Sequence, residues 1–145
     1  MNPRSDISLF MRLEPDIPKL THQNGLKVCS VRGDSSPRVF KSPALIDLED
    51  KYASLLKRFA PASPWDCPIH LTTIWHFRSA TKTGWKTTSP DTDNLVKTLK
   101  DCMEKVGFYR NDALVCLETI GKLWASPEAK HGVEIRLHDL TNEQP

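Results

Sequence analysis

Two features of exported and membrane proteins are missing from this sequence. No hydrophobic run approaches the roughly 18 residues that a membrane-spanning helix needs, so a membrane protein is not expected. The start, MNPRSDISLF, places an arginine and an aspartate before any apolar stretch, unlike a secretory signal peptide. We therefore expect a cytoplasmic protein without a membrane partner.

Zinc-binding cysteine and histidine patterns and glycine-rich nucleotide-binding loops are also missing. The four cysteines form no CxxC pair, and none stands near a histidine at zinc-finger spacing. The sequence has no glycine-rich phosphate loop of the Walker or GxGxxG type. Cys102 and Cys116 lie among apolar residues, so we expect them to be buried, reduced thiols.

The sequence has little excess charge of either sign. It contains 20 lysines and arginines against 18 aspartates and glutamates, which gives a net charge of +2. A nucleic-acid-binding protein of this composition must therefore gather its basic residues locally. The length of 145 residues suits one domain over residues 1–145, and 39% hydrophobic residues suffice for a core.

Hydrophobic periodicity predicts an α+β fold in the order β-α-β-α-β-β, with a small mixed sheet packed against two helices. A long irregular loop (14–42) precedes the first helix, and a polar tail (141–145) is expected to fray. The predicted strands are 7–13, 69–77, 113–124 and 133–138, with a short one at 26–31 inside the loop, and the predicted helices are 43–59 and 93–106.

The segment with the most chemical content is SPDTDNLVKTLKDCMEKVGFYRNDALV, residues 89–115. Asp91 and Asp93 share a face if the chain is extended there, and a helix start is favoured directly afterwards. Asp112 stands where the chain returns to the sheet. If the three meet, their hard oxygen ligands suit Mg²⁺ or Mn²⁺. Lys97, one helical turn after Asp93, is placed to stabilise negative charge on a bound phosphate.

The same residues also have an ordinary structural interpretation. Acids in the first turn of a helix offset its macrodipole. Asp93–Lys97, Lys97–Asp101 and Lys100–Glu104 are i,i+4 ion pairs of a common kind. The Asn-Asp pair at 111–112 is typical of a turn. Spacing alone leaves this alternative open.

The combined motif resembles that of the RusA-type Holliday junction resolvases, which are small bacterial and phage nucleases. The family pattern is an aspartate, any residue, Asp-Asn, a lysine four residues after the second aspartate, then Gly-Phe and a paired Asp-Asp-Ala. The matching residues here are Asp91 to Asn94, Lys97, Gly107-Phe108 and Asp112-Ala113, and Lys122 matches a later lysine. The sequence departs from the pattern at Asn111, which replaces the first of the paired acids.

The resemblance implies a RusA-like fold and a Mg²⁺-dependent endonuclease, with Mn²⁺ as an alternative metal. It implies that Asp91, Asp93 and Asp112 are metal ligands and catalytic residues, and that Lys97 is a catalytic electrostatic group. It also implies a homodimer with two metal sites. Each site is expected to nick one of two opposed strands of four-way junction DNA, in recombination and repair.

A basic loop directly precedes the acidic segment. Residues 78–90, RSATKTGWKTTSP, contain no acidic residue. Given the resemblance, we expect its cations to contact phosphates and its tryptophan to stack on an unpaired base. The alternative is a solvated loop with this tryptophan packed onto the domain. The expected DNA-binding residues are Arg78, Lys82, Trp85 and Lys86, together with Lys122 of the following strand.

Two other classes of function stay open. One is a prophage-derived module that binds branched DNA without cutting it. The acidic set disfavours this module, because acids beside DNA repel phosphate unless a cation lies between them. The other is a metal-dependent nucleotide hydrolase or transferase that uses Asp91 and Asp93, which the missing phosphate loop disfavours.

Overall fold

One five-stranded mixed sheet forms the centre of the computed structural model, which describes residues 2–21, 23–29, 33 and 38–145. Across the sheet lie β1 (Ile7–Arg12), β7 (Gly132–Asp139), β4 (Ile69–Arg78), β6 (Val115–Ala125) and β5 (Gly84–Trp85), in this order. β4 and β6 are parallel, and the other neighbouring pairs are antiparallel. Because parallel neighbours require a crossover connection, the chain between β4 and β6 must traverse the length of the sheet.

Two helices pack beside this sheet. α1 (Pro43–Leu56) begins after Ser42, whose hydroxyl oxygen accepts a hydrogen bond from the Leu45 N–H at 3.2 Å. α2 (Thr92–Val106) is the crossover between β4 and β6, and it ends at Gly107. Neither helix of the described residues is long and apolar enough to cross a membrane.

The hydrophobic core lies between the helices and one face of the sheet. Every second residue of β4 is buried from Ile69 to Phe77, and the alternate residues of that span are half-buried. Leu56 of α1 and Leu99 of α2 are fully buried in the same cluster. Full burial of one such leucine contributes about 2 kcal/mol relative to exposure. The shared cluster fixes both helices against β4, the strand at the middle of the sheet.

A two-stranded hairpin stands apart from the main sheet. It consists of β2 (Leu26–Cys29) and β3 (Arg38–Lys41), paired antiparallel. The predicted strand at 26–31 is confirmed for its first four residues, and residues 30 and 31 lie outside the described residues. β3 was not predicted, because four residues are too few to show a period. The hairpin therefore adds a second strand, β3, to the segment 14–42, which was expected to be irregular apart from the strand at 26–31.

The α+β class, the two helices and the mixed sheet are confirmed. The structure adds two short strands that were not predicted, β3 and β5. The first helix is shorter than predicted, because Lys57–Phe59 form a 3₁₀ turn. Another 3₁₀ turn, Asp112–Leu114, replaces the predicted start of the strand that follows. These errors fall at element ends, where local hydrogen bonding rather than periodicity decides the conformation.

The burial predicted for the two patterned cysteines is confirmed for Cys102 and wrong for Cys116, which is exposed. β6 pairs with β5 only near its end, at Leu123 and Trp124. The first part of β6 is therefore an edge, and Cys116 lies on it. An apolar sequence pattern does not distinguish such an edge from a central strand.

The polar tail is exposed but not wholly frayed. The Thr141 N–H donates to the Asp139 carboxylate at 2.8 Å. His138 Nε2 lies 2.6 Å from Glu143 Oε1. Burial raises the pKa of Asp139, but hydrogen bonds from Arg4 and Thr141 outweigh it and lower the pKa to about 2. The expectation of fraying does not hold for these first residues of the tail.

Gly132, at the start of β7, occupies a position that admits no side chain. Its φ is 143°, and an added Cβ would lie 2.1 Å from the Met11 carbonyl oxygen on β1. We expect Gly132→Ala to lower the free energy of unfolding by about 3 kcal/mol, because β1 and β7 must move apart to admit the methyl group.

The matched control for this prediction is Gly84→Ala. Gly84 also has a positive φ, 74°, but nothing lies within 4 Å of the added carbon. Its expected loss is about 1 kcal/mol, from backbone conformation alone. Urea unfolding of both variants measures the difference, and equal losses would contradict the steric explanation.

Candidate active site

A narrow groove with a volume of about 220 Å³ runs between α2 and β6. We call it the acidic groove, because four carboxylates and two ammonium groups give it an excess of negative charge. Such a groove favours binding of a cation. Its charged residues are Asp93, Lys97, Lys100 and Asp101 of α2, Asp112 of the turn before β6, and Glu118 of β6.

Two of the four carboxylates are already paired with lysines. Lys100 Nζ lies 2.6 Å from the Glu118 carboxylate, and Lys97 Nζ lies 3.9 Å from that of Asp101. The predicted Lys97–Asp101 pair is confirmed, whereas Lys100 bonds to β6 rather than to the predicted partner on its own helix. Among the described residues, the carboxylates of Asp93 and Asp112 have no hydrogen-bond or ion-pair partner. These two are therefore available to an external ligand.

The return from α2 to β6 is fixed by backbone geometry and by buried aromatic residues. Gly107 adopts the left-handed conformation, with φ of 93°, that commonly ends a helix. The Trp65 N–H donates to the Phe108 carbonyl at 3.0 Å, and the buried Tyr109 hydroxyl donates to the Lys100 carbonyl at 2.9 Å. The short connection is thus held against both α2 and the segment before β4.

Asp112 is placed by its two neighbours in the fold. Its N–H donates to the Glu104 carboxylate of α2 at 2.8 Å. Asn111 Oδ1 accepts a hydrogen bond from the Ala113 N–H at 2.8 Å and so caps the 3₁₀ turn that carries Asp112. An amide makes this bond as well as a carboxylate does, which explains how the sequence tolerates asparagine at this position.

Asp93 and Asp112 lie toward opposite ends of the acidic groove. Asp93 is in the first turn of α2, and Asp112 bonds to Glu104 in the last turns. The rise of an α-helix separates Asp93 from Glu104 by about 16 Å. Two oxygens on one Mg²⁺ are only about 4 Å apart or less. Within the described ranges, no three His, Cys, Asp or Glu side chains are close enough together to hold a metal ion.

Asp91 faces a second cleft. It is the extended N-cap residue of α2, and its carboxylate makes no capping hydrogen bond. Asp93 lies within the helix, so the extended arrangement in which both carboxylates share a face is not found. It lines a cavity of about 700 Å³ together with Lys19, Arg78 and Lys86, which we call the basic cleft. The structure therefore places Asp91 and Asp93 at one end of α2, toward two neighbouring clefts. The ligand role of the three aspartates stays a prediction.

Two of the predicted DNA-binding lysines bond to the protein itself. Lys86 Nζ donates to the Thr88 hydroxyl at 2.6 Å and to the Ser89 carbonyl at 2.7 Å. Lys122 Nζ donates to the carbonyls of Thr88 and Pro90, each at 2.7 Å. Burial and then the charge of Lys122 lower the pKa of Lys86, which is only 8% exposed. Both lysines fix the segment directly before Asp91.

The other three predicted DNA-binding residues are exposed. Trp85, on β5, has 72% of its surface accessible, so the alternative in which it packs onto the domain is not found. Lys82 Nζ lies 5.0 Å from the centre of the Trp124 ring, a cation–π distance. Arg78, at the end of β4, is anchored by its N–H, which donates to the Asp16 carboxylate at 3.0 Å. Their contacts with DNA stay predictions.

Sequence reasoning missed several residues of both clefts. It named Asp101 only as an ion-pair partner, although a spacing of eight residues places it on the same helix face as Asp93. Glu118 gave no signal, since its place in the groove depends on how β6 packs beside α2. Sequence reasoning also missed the part of the basic cleft that precedes β2, because that segment has no periodicity; its lining residues are Asp16, Ile17, Lys19, Thr21, Gln23 and Asn24.

A groove with free carboxylates beside a basic, tryptophan-bearing loop is typical of enzymes that hydrolyse nucleic-acid phosphodiesters. The family model described as Endodeoxyribonuclease RusA matches residues 18–138, which is most of the chain. The chain therefore belongs to the RusA endodeoxyribonuclease family, and its activity is that of a phosphodiester hydrolase of the Holliday junction resolvase type. Nucleases of this family generally depend on a divalent metal ion. No curated protein matches the sequence.

The cap at Asn111 gives a prediction for the turn that carries Asp112. Asn111→Ala removes the acceptor for the Ala113 N–H and is expected to cost about 1 kcal/mol of stability. We expect it also to lower the rate of DNA cleavage several-fold, because Asp112 is no longer held in place. Asn111→Asp restores the acceptor and should restore both quantities. Thermal unfolding and initial cleavage rates measure the effects, and unchanged rates in the alanine variant would contradict this role.

Proposed function

We propose that the protein resolves Holliday junctions in DNA recombination and repair by paired, symmetric nicks. The proposal includes Mg²⁺, or Mn²⁺ in its place, as the metal and the cytoplasm as the site of action. The observation that carries it is the acidic groove, where Asp93 and Asp112 keep carboxylates without a partner among the described residues. Free acids beside a DNA-binding loop imply a cation, since they otherwise repel phosphate.

The donor set fits a hard divalent cation in its chemistry but not in the spacing within one chain. Asp91, Asp93 and Asp112 offer carboxylate oxygens, the ligands that Mg²⁺ and Mn²⁺ prefer. The length of α2 keeps Asp112 from joining the other two on one ion. When bound, such an ion supplies an activated water and polarises the phosphodiester.

A second copy of the chain removes this difficulty. If two α2 helices lie antiparallel across a twofold axis, the end of each helix meets the start of the other. Asp91 and Asp93 of one copy then lie close to Asp112 of the other, and the arrangement occurs twice. Two such sites suit a four-way junction, in which two opposed strands are cut. We therefore propose a homodimer with two composite sites.

Lys97 is proposed as the electrostatic group of the site. It lies one turn after Asp93 on the same face of α2, and its side chain is 55% exposed. Its ion pair with Asp101 is long, at 3.9 Å, so its ammonium group is free to turn toward an anion. An ammonium group at this place stabilises the negative charge that develops on a phosphate under attack.

The proposed DNA contacts surround the start of α2. Arg78, Lys82 and Trp85 are exposed on the loop before Asp91 and face solvent. Arg78 and Lys82 are suited to phosphate oxygens, and Trp85 is suited to stacking on a base that the junction leaves unpaired. Lys86 and Lys122 act on DNA through their charge, since their donors bond to residues 88–90.

Mixing two inactive variants tests the composite site. Asp93→Asn and Asp112→Asn are each expected to abolish junction cleavage and to leave junction binding intact, because each removes a metal ligand. A mixed dimer of the two variants contains one composite site with both aspartates intact. We therefore expect nicking activity to return in the mixture, measured as the cleavage rate of a labelled four-way junction with Mg²⁺.

The controls separate this account from its alternatives. Asp50→Asn, an exposed residue on α1, should leave cleavage unchanged. If the site lies within one chain, the mixed dimer has no intact site and stays inactive, which would overturn the composite arrangement. Full cleavage by either single variant would overturn the assignment of that aspartate as a ligand.

The role of Lys97 is tested by separating binding from cleavage. Lys97→Ala should slow single-turnover cleavage about 100-fold, because a charge that acts on the transition state is lost. The dissociation constant for the junction, measured with a metal chelator present, should change less than threefold. A loss of affinity that accounts for the whole loss of rate would argue against the catalytic role.

A further inference from the structure

The basic cleft is larger than the acidic groove, and although Arg78, Lys86 and Asp91 line it, the proposed function assigns no ligand to the cavity itself. Its volume of about 700 Å³ lies in the range of sites that hold a small molecule. The ends of the parallel strands β4 and β6 form its floor, through Phe77 and Trp124. Its walls come from the segment 88–91, the start of α2 and part of the chain before β2, namely Asp16, Ile17, Lys19, Thr21, Gln23 and Asn24. Because Asp91 belongs to this cleft and Asp93 to the acidic groove, the two clefts meet at the first turn of α2.

Three cations, Lys19, Arg78 and Lys86, line the cleft against two carboxylates, Asp16 and Asp91, and Lys122 lies next to it, so the cleft keeps an excess of positive charge. The ammonium groups of Lys86 and Lys122 bond to carbonyl and hydroxyl oxygens, which are uncharged acceptors. The charges of Lys82 and Lys19 add to that of Lys122 in lowering the pKa of Lys86, after burial as the main cause. Asp16 is the nearby carboxylate that opposes them. An anion bound in the cleft completes this charge distribution.

One of the two carboxylates that line the cleft, Asp16, already accepts hydrogen bonds from the protein. The Asp16 carboxylate accepts hydrogen bonds from the N–H groups of Ile17, at 2.7 Å, and Arg78, at 3.0 Å. It therefore anchors Arg78 at the rim of the cleft. Lys19 stands on the same wall and is exposed. The exposed Lys19 and Arg78, together with the fixed Lys86, suit a phosphate.

A pair of side-chain amides, one before β2 and one on α2, also lines the cleft. Asn94 Nδ2 donates to Gln23 Oε1 at 3.1 Å. Each amide has a second hydrogen-bonding group, so the pair still presents a donor on Gln23 and an acceptor on Asn94. A donor beside an acceptor is the pattern that matches the edge of a nucleobase. The cleft therefore combines groups for a phosphate and for a base.

We propose that the basic cleft binds one nucleotide of the strand that is cut, adjacent to the scissile phosphodiester. Its phosphate lies against Lys19 and Arg78, and its unpaired base lies against the pair of Gln23 and Asn94. This inference rests on the proposed function, since the cut strand must pass the first turn of α2. It assigns the segment before the hairpin to substrate binding and makes the choice of cut site depend on it.

The phosphate part is tested by the salt dependence of junction binding in the presence of a chelator. Each lost phosphate contact should reduce the slope of log K against log salt concentration by about 0.9. We expect this reduction in Lys19→Ala and in Arg78→Ala. Lys51→Ala, an exposed lysine on α1 outside the cleft, is the matched control and should keep the slope. An unchanged slope in both cleft variants would overturn the proposal.

The base part is tested with 2-aminopurine placed next to the mapped cut. Its fluorescence should change when the native protein binds, because the base leaves the stack. Gln23→Ala should abolish this change and broaden the choice of cut sites, while keeping junction affinity within about threefold. An identical fluorescence change and an identical cut pattern in Gln23→Ala would contradict the base contact.

A separate probe distinguishes failure of this inference from failure of the proposed function. A 5′-phosphorylated dinucleotide should bind the native protein more tightly than it binds Arg78→Ala. If the dinucleotide binds in this way but the native protein does not cut junctions, the proposed function fails and the cleft stands. If junctions are cut but Arg78→Ala and Lys19→Ala bind dinucleotide and junction as the native protein does, the cleft assignment alone is overturned.

Discussion

The parallel pairing of β4 and β6 is the constraint on which the rest of this structure depends. Parallel neighbours force the chain to cross over, and α2 makes the crossing along the sheet. The helix therefore begins at the end of β4, with Asp91 and Asp93, and ends near the start of β6, with Asp112. The acidic groove is the space that remains between this helix and β6. The same crossover places Asp93 and Asp112 toward opposite ends of α2, and the proposed homodimer with composite sites rests on that separation.

The net charge of the chain does not show how charged residues are distributed around α2. A net charge of +2 over 145 residues gives no sign of DNA binding. Yet the first turn of α2 separates a groove with excess carboxylates from a cleft with lysines bonded to neutral oxygens. Lys86 and Lys122 fix the segment before Asp91 and keep their charge. This charge distribution suits a cation on one side and a phosphate on the other, as the proposed DNA contacts require.

The sequence predicted the elements with a clear period and the residues of a specific motif. The two helices, the strand 69–77 and the family assignment from Asp91 to Lys122 could be found because local pattern determines them. The exposure of Cys116 and the pairing of Lys100 with Glu118 could not, since both depend on which strand lies at an edge and which helix packs beside it. The distance from Asp93 to Asp112 was equally hidden, because spacing in sequence does not give the path of the return. Short strands such as β5 form because they pair with a neighbouring strand, and two residues are too few to show a hydrophobic period.

We propose that this chain cuts four-way junctions at two symmetric sites that require a divalent metal. Mapping the cuts of the native protein on a synthetic four-way junction, labelled in turn on each strand, tests it most directly. We expect nicks at symmetry-related positions on two opposed strands with Mg²⁺, and no nicks with a chelator. Cuts confined to one strand, or cutting that continues with the chelator, would contradict it.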